Sequence, residues 1–156
     1  MQPEDVEYAG FWIRVGAALI DSLLILAVIV PLLISIYGWG YFGEQTHLIA
    51  GPADFLISWV APAIAVIAFW LYRQATPGKM LLSLRVVDAT SGGTLSVGQS
   101  VGRYLGYYVS MIPLFIGLIW VAFDRRKQGW HDKLAGTVVI RSKARGTEPV
   151  RFEARR

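Results

Sequence analysis

Apolar residues in this chain run on in long stretches instead of alternating with polar ones. From Val15 to Tyr37 there are 23 residues with one charge, Asp21. At about 1.5 Å per helical residue this run is long enough to cross a hydrocarbon core of about 30 Å. A second run, Phe55 to Tyr72, holds 18 uncharged residues with Pro62 inside, which predicts a second crossing helix with a kink. The third, Tyr104 to Phe123, is divided by Pro113. Its halves, SVGQSVGRYLGYYVSM and PLFIGLIWVAF, are each about 11 to 16 residues, or roughly 16 to 24 Å as helix, and neither spans comfortably. LRVVD (Leu84 to Asp88) and TVVIR (Thr137 to Arg141) are short β-rich runs outside these stretches, and they predict a pair of strands.

Composition turns these runs into a membrane assignment. Hydrophobic residues make up 54% of the 156, and the mean hydropathy is +0.47, more apolar than a water-soluble fold can use. The leader MQPEDVEYAG is acidic and the first run is long, so an uncleaved anchor is expected in place of a signal peptide. With no cysteine and only two histidines, neither a disulfide framework nor a zinc site is expected.

The position of the charges sets the expected topology. Ten of the 15 Lys and Arg follow Asp124, four lie from Arg73 to Arg103, and none lies between Val15 and Tyr72. Such flanking charge follows membrane sidedness and argues against nucleic acid as a partner. The loop GWGYFGEQTHLIAGPAD, free of Lys and Arg, is expected outside, with the N terminus and Arg73 in the cytoplasm. A single crossing by the third run would strand ten basic residues outside. A helical hairpin, re-entrant or of two short tilted helices, is therefore preferred over one kinked crossing, and it returns the C terminus to the cytoplasm.

The predicted architecture is an all-α membrane protein: two full transmembrane helices, a glycine-rich hairpin and a small cytoplasmic β-pair. It is expected in the cell inner membrane as a domain over 7–141. A basic tail over 142–156 is expected to be disordered and to favour anionic lipids. Gly98, Gly102, Gly106 and Ser110 recur every four residues, a smooth stripe that either makes a homo-oligomer or packs on the chain's own first or second helix. Tyr37, Trp39 and Tyr41 at one end, and Trp70 and Tyr72 at the other, read as interfacial belts, and Trp130 as a residue resting on headgroups.

Asp21 is the most informative polar residue. A carboxylate that deep in a span costs about 2.5–3.5 kcal/mol unless paired, hydrated or protonated. Arg14, two turns earlier, shares its helix face, but about 10 Å of rise leaves direct contact unassured. The segment FDRRKQGWHDKLAGT supplies Asp124 and Asp132, either of which could answer Arg14. TPGK (Thr76 to Lys79) lacks the upstream glycine of a phosphate loop and reads as a turn with Lys79 near the headgroups. SGG (Ser91 to Gly93) reads as a hairpin turn into TLSV, and Glu44 beside His47 as a solvated loop, the alternative being a pH sensor. No spacing points to a nucleophile with a base or to a metal with an open position, so neither an enzyme nor a cofactor is expected.

YAGFWIRVGAALID, TPGKMLLSLRVVD and FDRRKQGWHDKLAGTVVIR, in that order, resemble the RDD family from about Tyr8 to Arg141. The family's arginine and first aspartate fall on Arg14 and Asp21, and its second aspartate on Asp132, with Asp124 as the alternative. The resemblance implies a small multi-pass prokaryotic membrane protein associated with transport, without a common substrate. Two functions follow: a transporter or transporter subunit for a cation or proton-coupled solute acting through the Arg/Asp cluster, or a scaffold in which that cluster is structural.

Overall fold

The computed structural model describes residues 6–43 and 49–142. Glu44, His47 and the tail beyond Ser142 lie outside the described residues. β1 (Val6–Tyr8) leads into α1 (Phe11–Tyr37), which starts a turn ahead of the first apolar run and so holds Arg14 on helical backbone. The helix stops at Gly38, whose φ of 74° favours glycine and whose N–H donates to the Ile34 carbonyl at 2.8 Å.

The second run forms α2 (Pro52–Phe55), a π turn (Leu56–Val60) and α3 (Ala61–Arg73). Past the left-handed Gln74 comes α4 (Pro77–Leu81). Pro62 has no N–H to return to the Ser58 carbonyl, and the helical ladder widens on the turn before it. In each of the two long helical segments only 6% of the most apolar 18-residue window is buried. Apolar surface of that extent is stable where lipid replaces water.

α5 (Val97–Met111) opens on a capping box, Ser96 with Gln99. It is followed by α6 (Ile116–Ile119), which runs into a 3-10 turn at Trp120–Ala122 and meets α5 at 115°. The bend is made by Pro113 and by Leu114 and Phe115 in left-handed backbone, and its side chains Ile112, Leu114 and Phe115 point outward. Gly117 lets α6 lie on α5, since a Cβ there would sit 2.7 Å from Ser110 Cα. α7 (Trp130–Ala135) and β3 (Thr137–Ser142) complete the fold, with β2 (Leu84–Asp88) between α4 and α5.

LRVVD and TVVIR do pair, with Val86 opposite Val139, but the sheet has three strands. VEY, too short to register as a strand from its pattern, pairs with the other side of β3 with Tyr8 opposite Ile140, in the order β1-β3-β2. One sheet thus gathers chain from before α1, from after α4 and from after the third apolar run. SGG does turn, through Gly92 at φ 69°, but TLSV forms no strand. Asp88 accepts from the Thr90 and Ser91 amides, and the chain goes directly into the Ser96 cap.

The small core beneath the sheet joins Ala9, Ala17, Trp70, Leu84, Val86, Leu95 and Val139. Trp70 belongs to it, 1% exposed and stacked on Tyr107 at 6.1 Å, so it is no interfacial anchor; Tyr72, 85% exposed, faces outward as expected. At the opposite end Tyr41 and Ser58 donate to Asp54 Oδ1, the Ala50 amide donates to Oδ2, and the Tyr37 hydroxyl accepts from the Asp54 amide. Tyr37 and Tyr41 therefore tie α1 to α2, and only Trp39 of that trio is fully turned out, at 79% exposed. Of the glycine stripe, Gly106 makes the close approach: a Cβ would lie 2.9 Å from His131 Cα on α7. A Cβ at Gly102 would meet nothing within 4 Å, and one at Gly98 only the nearby Ser96 hydroxyl.

Candidate functional site

The charged residues singled out above fall into two groups. In the first, Asp132 on the opening turn of α7 is fully buried between two guanidinium groups. Arg14 Nη1 lies 2.6 Å from Asp132 Oδ2, and Arg103 of α5 pairs with Oδ1. Arg14 also donates from Nε to the Ala9 carbonyl at 3.0 Å and from Nη2 to the Lys127 carbonyl at 2.5 Å. One side chain thereby ties the β1–α1 junction, the loop before α7 and α7 itself. Arg103 donates to the Thr137 hydroxyl at 2.5 Å and lies over Trp70, 5.2 Å from the ring centre. Asp124 is not part of this group: it pairs with Lys133 at 2.6 Å and accepts from the Arg126 and Gln128 amides.

Asp21 stands apart, facing α4. Its Oδ2 accepts from the Thr76 hydroxyl at 2.5 Å and its Oδ1 from the Gly78 amide at 2.6 Å, while Lys79 Nζ is 3.8 Å away. TPGK is thus a helix start folded back onto α1, and Lys79 is 8% exposed instead of lying among headgroups. Gly78 permits the contact, because a Cβ there would collide with the Ala17 carbonyl and sit 2.9 Å from the Asp21 amide.

Beside this pair an open-sided slot of about 580 Å³ runs between α1, α3 and α5. Ala18, Ile25 and Leu32 mark its length on α1, and Phe69 and Tyr104 stand on its other walls. Its ionised groups, Asp21 and Lys79, sit together near the Ala18 end, and the lining beyond them is almost entirely apolar. Among the described residues no three His, Asp or Glu side chains converge as a metal site would require.

His131 packs beside the first group. It stacks on Tyr107 at 4.0 Å, its backbone amide donates to Ser110 Oγ at 3.1 Å, and its Nε2 is 3.4 Å from Asp132 Oδ1. Burial pushes its pKa down to about 3, against the pull of Asp132 and with the help of Arg103, Arg14 and Lys79, so the ring is neutral at pH 7. Burial alone would raise the Asp132 carboxyl, but the Arg103 and Arg14 charges overcome it and hold Asp132 below the usual carboxylate range.

A pH dependence follows. The unfolded histidine titrates near 6.5 and the folded one near 3, so between these values the unfolded chain binds a proton that the folded chain does not, and stability falls as pH falls. Asp132 adds to the loss only below its unfolded value of 3.8. Thermal unfolding in detergent should show about 1 kcal/mol lost between pH 7 and 5.5. His131→Phe, which keeps the stack, should flatten that slope; an unchanged slope would contradict the buried neutral ring.

The RDD family model matches residues 8–136, a range that holds Arg14, Asp21, Lys79, Arg103 and Asp132. The chain belongs to the RDD family. Among similar proteins, the uncharacterized protein YxaI of Bacillus subtilis is 32% identical over 149 residues, covering 85% of this chain and 96% of that one. The uncharacterized membrane protein YteJ of Bacillus subtilis is 30% identical, covering 87% of this chain and 82% of its own length. The proline-rich antigen homolog of Mycobacterium tuberculosis is 28% identical over 86% of this chain, which spans 58% of that protein. No solved structure matches.

Sequence reasoning on this RDD protein did not find Arg103, Lys79, Thr76 or His131 as site residues. One signal for Arg103 was present: it is the only Lys or Arg between Val97 and Phe123, and a lone cation at the head of an apolar helix calls for an anion. Thr76, Gly78 and Lys79 carried no such signal, because their role depends on α4 folding back against α1.

Proposed function

We propose that this RDD protein is a small non-enzymatic membrane transport protein for a cation or proton-coupled solute, with its ligand site at the Asp21–Lys79 end of the slot. The observation that carries this reading is that the slot reaches Asp21: a carboxylate kept only for structure needs no cavity beside it. The Arg14–Asp132–Arg103 group has the structural role, since its acid is fully enclosed and answered on both oxygens.

The proposed setting is the cell membrane, with the sheet and both termini in the cytoplasm. The shared sheet supports it, because strands from before, between and after the apolar runs meet there. In this reading α5 and α6 form a re-entrant hairpin whose exposed tip, Ile112, Leu114 and Phe115, enters the hydrocarbon. The exposed Arg125 and Arg126 at the sheet end would meet anionic headgroups. So few helices would carry a solute as an oligomer.

Vesicles of bacterial lipid loaded with a pH-sensitive dye test the proposal. With wild-type protein an imposed pH gradient should collapse faster than in protein-free vesicles, in sodium or in potassium buffer. Asp21→Asn preserves an acceptor for the Gly78 amide and should insert normally, yet return the rate to that of protein-free vesicles. Wild-type protein that never exceeds the protein-free rate in either buffer would overturn transport and leave both charged groups structural.

A further inference from the structure

We infer that the slot binds a long-chain fatty acid, with its carboxylate at Lys79 and its chain along α1 towards Leu32. This names the solute class of the transport reading above and rests on it. The slot's shape is the first argument. From Ala18 to Leu32 the lining extends about 21 Å along α1 at 1.5 Å per residue, longer than one hydrocarbon leaflet of about 15 Å. A slot of about 580 Å³ of that length, lined almost entirely by apolar side chains, suits one extended chain lying along α1.

The second argument is charge. Around the polar end Arg14, Arg103 and Lys79 are buried or largely buried beside Asp132 and Asp21, while His131 is neutral. Asp132 is taken up by the two arginines. Lys79 is left with Asp21 at 3.8 Å, beyond hydrogen-bond distance, and with one hydrogen bond, to Thr76 at 3.2 Å. An ammonium carries three donors, so a nine-tenths-buried cation lines the polar end with donors to spare. Charge-assisted bonds from those free donors would hold an anionic head group. A single chain with one anionic head meets both demands.

The test uses the purified protein in nanodiscs with a photoactivatable palmitate bearing a diazirine near its methyl end, followed by peptide mapping. Labelling is expected on α1 and α3 within the slot, displaced by unlabelled palmitate and not by its methyl ester. Lys79→Met should reduce it about tenfold, the loss of one charge-assisted bond. Ala65→Phe, which leaves Lys79 in place and fills the slot, should reduce it as well, so a misfolded lysine variant cannot decide the outcome alone. Specific labelling of wild-type protein that never collapses a pH gradient would overturn the transport reading alone, and gradient collapse without specific labelling would overturn the fatty acid alone. Labelling spread evenly over the lipid-facing helices, displacement by the methyl ester, or displacement only by a lysophospholipid would overturn the fatty acid. So would a disulfide between Val28→Cys protomers that forms in place of labelling, because a second copy would then occupy the slot.

Discussion

Asp132→Asn is expected to cost about 3–5 kcal/mol, a large part of the 5–15 kcal/mol that holds a typical fold together. The asparagine occupies the same volume and can still accept from the Gly129 amide, now 3.0 Å away. What it removes is the charge between two guanidinium groups. Arg103 is 0% exposed, its Nε and Nη2 have no hydrogen-bond partner, and among the described residues no second carboxylate pairs with it. The expected result is a sharp fall in folded, monodisperse protein after detergent extraction and a lower thermal midpoint. A companion variant identifies the mechanism: Asp132→Leu combined with Arg103→Met and Arg14→Met removes all three charges of the group and should recover part of the loss, as apolar replacement of a buried triad does. If Asp132→Asn alone were as stable as wild type, the group would not be the lock described here.

Gly78→Ala is expected to be at least as damaging, although it adds one methyl group. That methyl would meet the Ala17 carbonyl and the Asp21 amide, both backbone on a long helix that cannot yield locally. α4 must therefore move away from α1, at about 1–3 kcal/mol for the overpacking. The movement also takes the Gly78 amide and Thr76 hydroxyl from Asp21, and bonds to a charged group are worth about 1.5–3 kcal/mol each. A lower thermal midpoint with pH-gradient collapse at the protein-free rate is expected. Wild-type behaviour in both would mean that α4 does not rest on α1 as described.

The two long helices were legible because length and lack of charge are properties of consecutive residues, and 3.6-residue geometry converts them into a span without knowledge of neighbours. β2 and β3 were legible for a similar reason, as runs of β-branched residues. β1 was not, since three residues such as VEY become a strand only when β3 offers an edge. Asp21 could be nominated from the cost of charge in an apolar setting, Arg14 from its place on the same helix face, and Asp132 ahead of Asp124 only through the resemblance to the RDD family. How they divide could not be read, because the partners of Asp21 come from α4 and the second partner of Asp132 from α5. The glycine spacing indicated close packing, but it is Gly106 that faces α7, because the buried side of α5 runs through Ser100, Arg103, Gly106 and Ser110.

The proposed topology depends on the sheet lying on one side of the membrane, so that the third apolar run returns to the side it left. The chain contains no cysteine, which makes single-cysteine labelling direct. Cysteines would be placed at Tyr8 in β1, Arg85 in β2 and Ser142 in β3, and at Trp39 at the far end of α1, then treated with a membrane-impermeant maleimide in intact cells. The account predicts that Trp39→Cys reacts at once and that the three strand positions react only after the membrane is opened. Reaction of Ser142→Cys in intact cells while Arg85→Cys stays silent would mean a single crossing by the third run, and would contradict it.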